Sequence, residues 1–372
     1  MEFSWDDLRR WPDVEADDLV AVDAADRLIL DESAGARADA GRAATAVIGD
    51  AYGALALGAA ADTAGESAHV RVHQDALTGE RALAANAVRL GLAGDTASLP
   101  LSGEVVRDAR VVLLRLPRSL DALRDIAGLI AAHAAPDVRV FAGGRIKHMS
   151  TAMNEVLREF FGRVDVTHAR QKSRVLVASD PHDGRDPQPR CIETDGVVVC
   201  AYGGAFAGAA VDIGTRFLLE HVPDRIPDDA AAIDLACGTG VVAATLALRH
   251  PGLRLYACDQ SAVAVASARA TAAANGVADR IEVVRDDGLG AREDASAGVI
   301  LLNPPFHSGA AVHEGIAPRL FADAARVLRP GGRLWTVWNS HLRYRPVLER
   351  IVGPTQQIAR NAKFTVTVST RR

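Results

Sequence analysis

No apolar run in the 372 residues approaches the roughly 20 needed to cross a bilayer as a helix, so a membrane span is not expected. Met1 to Arg10 is polar and acidic with no apolar leader core, so a secretory signal is not expected either. Cysteine is scarce. Cys191, Cys200, Cys237 and Cys258 contain no Cys-x-x-Cys pair, which argues against a zinc site or a disulfide scaffold and points to a reduced cytoplasm. Gly-Lys-Ser/Thr is also missing from the glycine-rich turns, so a P-loop is excluded. What is present is the balance of a globular protein, 49% hydrophobic and 24% charged, in a length that suits two domains.

The net charge of −5 speaks against a nucleic-acid binder, but the sum hides an asymmetry. Residues 1–50 hold thirteen acids against five arginines, whereas residues 340–372 hold seven basic residues against Glu349 alone. A second basic stretch carries Arg139, Arg145, Lys147, Arg158, Arg163, Arg170, Lys172 and Arg174 against three acids. Local charge bears on partners more directly than the sum does.

The architecture reads as α/β, built twice. In the second half Ala232–Leu235 is a buried strand entering the turn Ala236-Cys237-Gly238-Thr239-Gly240. An alanine-rich helix follows over 241–249, then a strand ending on Asp259, a helix over 261–275 and a strand over 281–284. A strand over 298–302 leads into Asn303-Pro304-Pro305-Phe306, and a further helix stops near Leu328 to Gly332 before a strand over 333–338. Strands alternating with helices at this spacing predict a parallel, doubly wound sheet. The first half repeats the order at an offset near 185 to 191 residues. Ala46 to Gly53 falls on Ala232 to Gly240, Val70 to Gln74 on the strand ending at Asp259, Val111 to Pro117 on Val299 to Pro305, and Ala169 to Lys172 on Ala359 to Lys363. At the positions of Asp234, Gly238, Asp259 and Asn303 the first copy has Val47, Ala51, Gln74 and Arg115, so it reads as a degenerate copy that kept the fold. The expected division is 1–178 and 199–372, joined by a polar, proline-rich linker over 179–198.

The glycine turn fits a ligand that lies against bare backbone, as Gly238 and Gly240 permit. Asp259, 19 residues after Gly240, is placed to accept hydrogen bonds from ribose hydroxyls, although dinucleotide sites use an acid in the same way. The sequence Asp234-Leu235-Ala236-Cys237-Gly238-Thr239-Gly240 resembles motif I of class I S-adenosylmethionine-dependent methyltransferases. Ala236 stands where that family usually has its first glycine. The resemblance implies two tandem Rossmann-like methyltransferase domains, the N-terminal one degenerate. It also implies a cofactor site of Asp234, Ala236, Gly238, Gly240, Asp259, Gln260, Asp286, Asp287, Asn303 and Thr215, with Asp234 supporting the turn and Asp287 favoured for the adenine amine.

Asn303-Pro304-Pro305-Phe306 is the most informative tetrapeptide. Consecutive prolines remove amide donors and leave carbonyls free to accept. The Asn303 oxygen and the Pro304 carbonyl can grip both hydrogens of a planar, conjugated amine, and Phe306 can stack on the group that bears it. Gripping such an amine raises its reactivity through positioning and electrostatics. His307 and His341 read as loop histidines first.

Asn-Pro-Pro-Phe-His after a degenerate methyltransferase-like half resembles the ribosomal RNA guanine-N2 methyltransferases. The stretches Ile48 to Leu55, Asp212 to Phe217, Asn339 to Tyr344 and Asn361 to Phe364 look like the large-subunit (23S) enzymes more than the small-subunit (16S) ones. The resemblance runs from Leu8 to Phe364. It implies methyl transfer from S-adenosylmethionine to the exocyclic N2 amine of a guanine, with Asn303, Pro304, Pro305 and Phe306 catalytic, no metal, and naked or partly assembled 23S rRNA as partner. Arg145, Lys147, Arg170 and Lys172 are the candidate RNA contacts, and a monomer is expected. Methylation of 16S rRNA, of a protein glutamine or of DNA adenine stays open, as does a catalytically idle S-adenosylmethionine- or RNA-binding scaffold.

Overall fold

The computed structural model describes residues 4–16, 19–62, 67–223, 226, 231–305 and 310–372. The chain divides into two units, 1–188 and 189–372. In the first, strands Thr45–Ile48 (β1), Val70–His73 (β2), Thr96–Ser98 (β3), Val111–Arg115 (β4), Arg139–Arg145 (β5), Phe161–Val166 (β6) and Ser173–Pro181 (β7) form one sheet in the order β3-β2-β1-β4-β5-β7-β6. β1 to β5 run parallel, and β7 lies antiparallel between β5 and β6. Alternate residues feed opposite faces. Val111 and Leu113 join one core with the helices Ala24–Ala40 and Ala54–Asp62, while Val112 and Leu114 join another with Leu120–His133 and Thr151–Arg158. Burial on both faces explains the unbroken apolar run of β4.

The second unit begins with the hairpin Arg190–Thr194 (β8) and Val197–Ala201 (β9). Then come Ala232–Leu235 (β10), Leu255–Asp259 (β11), Ile281–Arg285 (β12), Ala297–Leu302 (β13), Leu328–Asn339 (β14), Thr355–Arg360 (β15) and Phe364–Thr370 (β16). Their order, β12-β11-β10-β13-β14-β16-β15, matches the first sheet strand for strand. The ladders also fix which residues correspond. Ile48 pairs with His73 and Leu114, and Leu235 pairs with Cys258 and Leu302. Val47, Gln74 and Arg115 therefore stand where the second unit has Asp234, Asp259 and Asn303. The β1 correspondence starts at Thr45, one residue before the Ala46 expected from sequence.

Three expectations need correction. The 179–198 segment is not an unpacked linker. β7 extends through Pro181, the His182 amide donates to the Phe160 carbonyl and the Arg185 amide to Gly128, and the Arg185 guanidinium lies over the Phe160 ring. Its polar composition limits apolar burial but leaves the backbone free to pair. The division between units falls after Gln188. Second, Cys191 and Cys200 are directly paired across the β8–β9 hairpin and joined as a disulfide. An Asp195-Gly196 turn with φ of 54° and 78° folds the two strands together, so residues nine apart meet, a proximity that Cys-x-x-Cys spacing cannot reveal. Cysteine usage thus no longer bears on the compartment. Third, Leu328 already pairs with Ala297, and the proline–glycine segment before Arg333 bulges out of β14 instead of preceding it. Among the described residues no helix is long and apolar enough to cross a membrane.

Candidate active site

β10 turns through Ala236 to Gly240 into the helix Val241–Arg249. A Cβ on Gly238 would meet nothing within 4 Å among the described residues, so this backbone borders open space, as a close ligand requires. Gly240 is different. Its Cβ would lie 2.8 Å from Ala268 Cβ, so this glycine serves helix packing and does not bare the backbone to a ligand, contrary to expectation. Ala236 adopts φ 57°, a left-handed conformation that glycine tolerates better, and its counterpart in the first unit is Gly49 at φ 81°.

Asp259 is held at the end of β11. Its Oδ2 accepts the Gly238 amide at 3.0 Å and its Oδ1 the Ser261 amide at 2.9 Å. The next residue, Gln260, accepts Arg285 Nε at its carbonyl. Asp234 is buried within β10 and accepts the Ala243 amide at 3.0 Å. It therefore secures the helix start and not the glycine turn. Burial is the main cause that pushes its pKa up to about 7. Asp286 is buried and accepts the Ala291 amide at 2.8 Å, while both oxygens of Asp287 take the Arg319 guanidinium at 2.5 and 3.1 Å. The carboxylate favoured for an adenine amine is thus already engaged by a cation.

Asn303 follows β13 directly. Its Nδ2 donates to Thr215 Oγ1 at 2.8 Å and to Asp212 Oδ2 at 3.2 Å. A carboxylate only accepts, which fixes the amide orientation. The Asn303 Oδ1 is consequently the free end, buried and without a hydrogen-bond partner among the described residues. A buried carbonyl left unpaired costs about 1–3 kcal/mol, and a ligand N–H would satisfy it. Asp212 caps the helix Ile213–Leu219 through the Gly214 and Thr215 amides, so one carboxylate oxygen anchors both helix and asparagine. Thr215, expected among the cofactor residues, holds Asn303 instead. Asp212 entered the sequence reading only within a stretch of family resemblance, and its three-residue spacing to Thr215 was the available signal. Pro304 is buried and Pro305 exposed; Phe306 and His307 lie outside the described residues.

The first unit rebuilds this corner with other chemistry. Asp23 caps the helix Ala24–Ala40 as Asp212 caps its own. Arg115 reaches Asp23 at 2.8 and 3.2 Å and Asp26 at 2.5 Å. Burial opposes ionisation of Asp23, but Arg115 and two helix amides prevail and hold it below the ordinary carboxylate range. Burial raises Asp26 to about 6 despite Arg115. An ion triad occupies the place where the second unit keeps an open acceptor. Asp50 accepts the Ala56 amide, the counterpart of Ala243, so the helix-securing carboxylate has moved from the strand into the turn. Of the four expected RNA contacts, Arg145 and Lys147 line one cavity, Arg170 pairs with Glu32 and Asp31, and Lys172 is exposed.

Residues 2–182 match the family model described as "RLMG N-terminal domain", and residues 196–368 match "Methyltransferase small domain". The ribosomal RNA large subunit methyltransferase G of Streptomyces avermitilis is 36% identical, aligned over 96% of this chain and 95% of that protein. The protein of the same name from Pseudomonas aeruginosa PAO1 is 33% identical over 97% and 96%. The solved structure of the T. thermophilus 16S rRNA N2 G1207 methyltransferase RsmC, in complex with AdoMet and guanosine, covers 88% of both chains with a TM-score of 0.72 at 22% identity, a likeness of fold. Two family matches that meet near the division between units, and near-full-length identity of 33% to 36%, make this chain a member of the ribosomal RNA large subunit methyltransferase G family.

Proposed function

We propose that the chain methylates the exocyclic N2 amine of a guanine in ribosomal RNA, of the large subunit (23S), with S-adenosylmethionine as donor. The observation that carries this reading is Asn303. Its NH2 end is tied to Asp212 and Thr215, and its buried oxygen is left to accept an N–H. With the Pro304 carbonyl as second acceptor, both hydrogens of a planar amine can be held. An amine conjugated to a ring is a weak nucleophile, so holding it in an orientation with its lone pair exposed is the chain's contribution to rate. Phe306 supplies the stacking face.

The residues suit the donor. The open space over Gly238 admits a ligand against the backbone, and the Asp259 carboxylate fixed beside it suits ribose hydroxyls. When bound, S-adenosylmethionine supplies an electrophilic methyl group. Gly238, Asp259 and Gln260 would line its site, with Asp234 and Gly240 holding the surrounding backbone in shape and Asp286 and Asp287 at the adenine end. In this reading residues 189–372 form the catalytic unit and 1–188 a unit that binds the RNA. The target base must leave its stack, at a cost of a few kcal/mol that phosphate contacts offset. The relatives named for the large subunit favour 23S RNA, and the fold neighbour named for N2 of a 16S guanosine favours that nitrogen.

The test is incubation of the purified chain with methyl-labelled S-adenosylmethionine and, separately, naked 23S rRNA, 16S rRNA, total protein and DNA. Label in 23S rRNA, recovered after nuclease digestion as N2-methylguanosine, is expected. Label confined to protein or DNA would overturn the reading.

A further inference from the structure

The first unit has lost the amine acceptor but not the cleft. A cavity of about 350 Å³ opens at the C-terminal edge of β4 and β5, lined by Arg115, Leu116, Arg118, Gly144, Arg145 and Lys147 together with Asp23, His148 and Met149. In open parallel sheets this edge is where ligands bind. β4 ends here at Arg115, the counterpart of Asn303, so the cavity is the topological equivalent of the acceptor side of the catalytic site. It is open partly because Gly144 stands where the second unit has the buried Trp338, as the ladders through Ala142–Leu114 and Thr336–Leu302 establish.

Its charge balance is positive, with four cationic side chains against one carboxylate. The lining carboxylate, Asp23, is consumed by Arg115 and by the helix amides that it caps. The side chains of Arg118, Arg145 and Lys147 have no hydrogen-bond or ion-pair partner among the described residues, and Arg118 and Lys147 are exposed. Slight desolvation and the cations Arg118, Lys147 and Arg145 hold His148 below the ordinary imidazole range, as expected in a positive field. No Phe, Tyr or Trp side chain lines the cavity, so it lacks the broad aromatic platforms of a base-stacking site. Three unpaired cations around a polar hollow match a tetrahedral oxyanion far better than an amine or a sulfonium.

We propose that this relic of an active site is a phosphate-binding pocket that seats a backbone phosphate of the RNA strand. The proposal rests on the reading of the substrate as RNA, and it commits to the phosphodiester of a strand over a free phosphate or mononucleotide. Substitution has thus turned a cleft built to grip an amine into one that grips the backbone, which gives register and affinity without sequence information.

The experiment measures binding of fluorescein-labelled 23S rRNA fragments to the full chain by anisotropy between 50 and about 300 mM salt, where each lost phosphate contact lowers the slope of log affinity against log salt by about 1. The double variant Arg118→Ser/Lys147→Ser is expected to bind about 10-fold more weakly near physiological salt with a slope shallower by about 2, while Arg118→Lys/Lys147→Arg restores both. Gly144→Val narrows the cavity at its wall with the charges intact and is expected to weaken binding too. S-adenosylmethionine affinity should stay within about twofold of wild type in all variants, below the 1.4 kcal/mol of a tenfold change. An unchanged RNA affinity and slope in the serine double variant would overturn the proposal. So would weakening by that variant but not by Gly144→Val, which would move the contact from the cavity to the open surface. Loss of inorganic phosphate or 5′-GMP binding with RNA affinity intact would overturn the commitment to a strand. Because anisotropy requires no methyl transfer, failure of the proposed activity is read separately, in the labelled-donor assay.

Discussion

The two units share a seven-strand order and a ladder register, yet at one position, the residue that leaves the fourth strand of each sheet, they part company. In the second unit Asn303 gives its two hydrogens to Asp212 and Thr215 and keeps a buried oxygen unpaired among the described residues. In the first, Arg115 spends its donors on Asp23 and Asp26 and leaves the corner satisfied. A fold tolerates either solution because both give the helix cap a partner. Only the second leaves an acceptor unfilled among the described residues, and the comparison teaches that a site is to be sought in what a fold leaves unsatisfied.

The largest effect expected from breaking this contrast is at Asn303. Asn303→Ala should slow methyl transfer by about 10²–10³-fold, the usual loss for a preorganised contact to the reacting group. Calorimetry should find S-adenosylmethionine affinity nearly unchanged, and undiminished turnover would refute the role. Forcing the first unit toward the second is next. Arg115→Asn removes the cation between two carboxylates, one of them almost fully buried, and should cost about 3 kcal/mol in urea unfolding with no new methylation.

The contrast sharpens with pH. Burial raises Asp234 from the ordinary 3.8 to about 7, so between these values the folded chain holds a proton that the unfolded chain has released. Stability from this group is therefore full below pH 4 and lost as pH rises toward 7. Relative to Asp234→Asn, the wild type should lose about 2 kcal/mol between pH 5 and 7 in denaturant titrations. The smallest effect concerns the turn. Ala236→Gly gives the second unit the glycine that the first has kept, and should raise stability by about 1 kcal/mol, read as a shift in Tm.

Much of this was legible in the chain. The apolar runs Ala232–Leu235 and 298–302, the glycine turn between strand and helix, and the matching runs in the first half were enough for a doubled parallel sheet, because strand burial and turn chemistry are local properties. The tetrapeptide from Asn303 and the acid at Asp259 were legible for the same reason, since each combines a residue type with a strand end. Gly240 was misread because its constraint comes from Ala268, 28 residues away, and Thr215 because its partner lies 88 residues along the chain. The Cys191–Cys200 pairing and the packing of 182–188 depended on a hairpin and on neighbouring carbonyls that composition does not report.

The sequence by itself determined the doubled plan, the degeneracy of the first copy and the residue types of the site, since hydrophobic period, glycine and proline act within a few residues. The tertiary structure alone decided which polar atoms are already engaged. It tied Asp287 to Arg319, gave Thr215 to Asn303, closed the first unit's corner with Arg115 and left three cations around a hollow beside Gly144. Hydrogen bonds and ion pairs form between groups distant in the chain, so only the folded arrangement determines which of them remain free to meet a ligand.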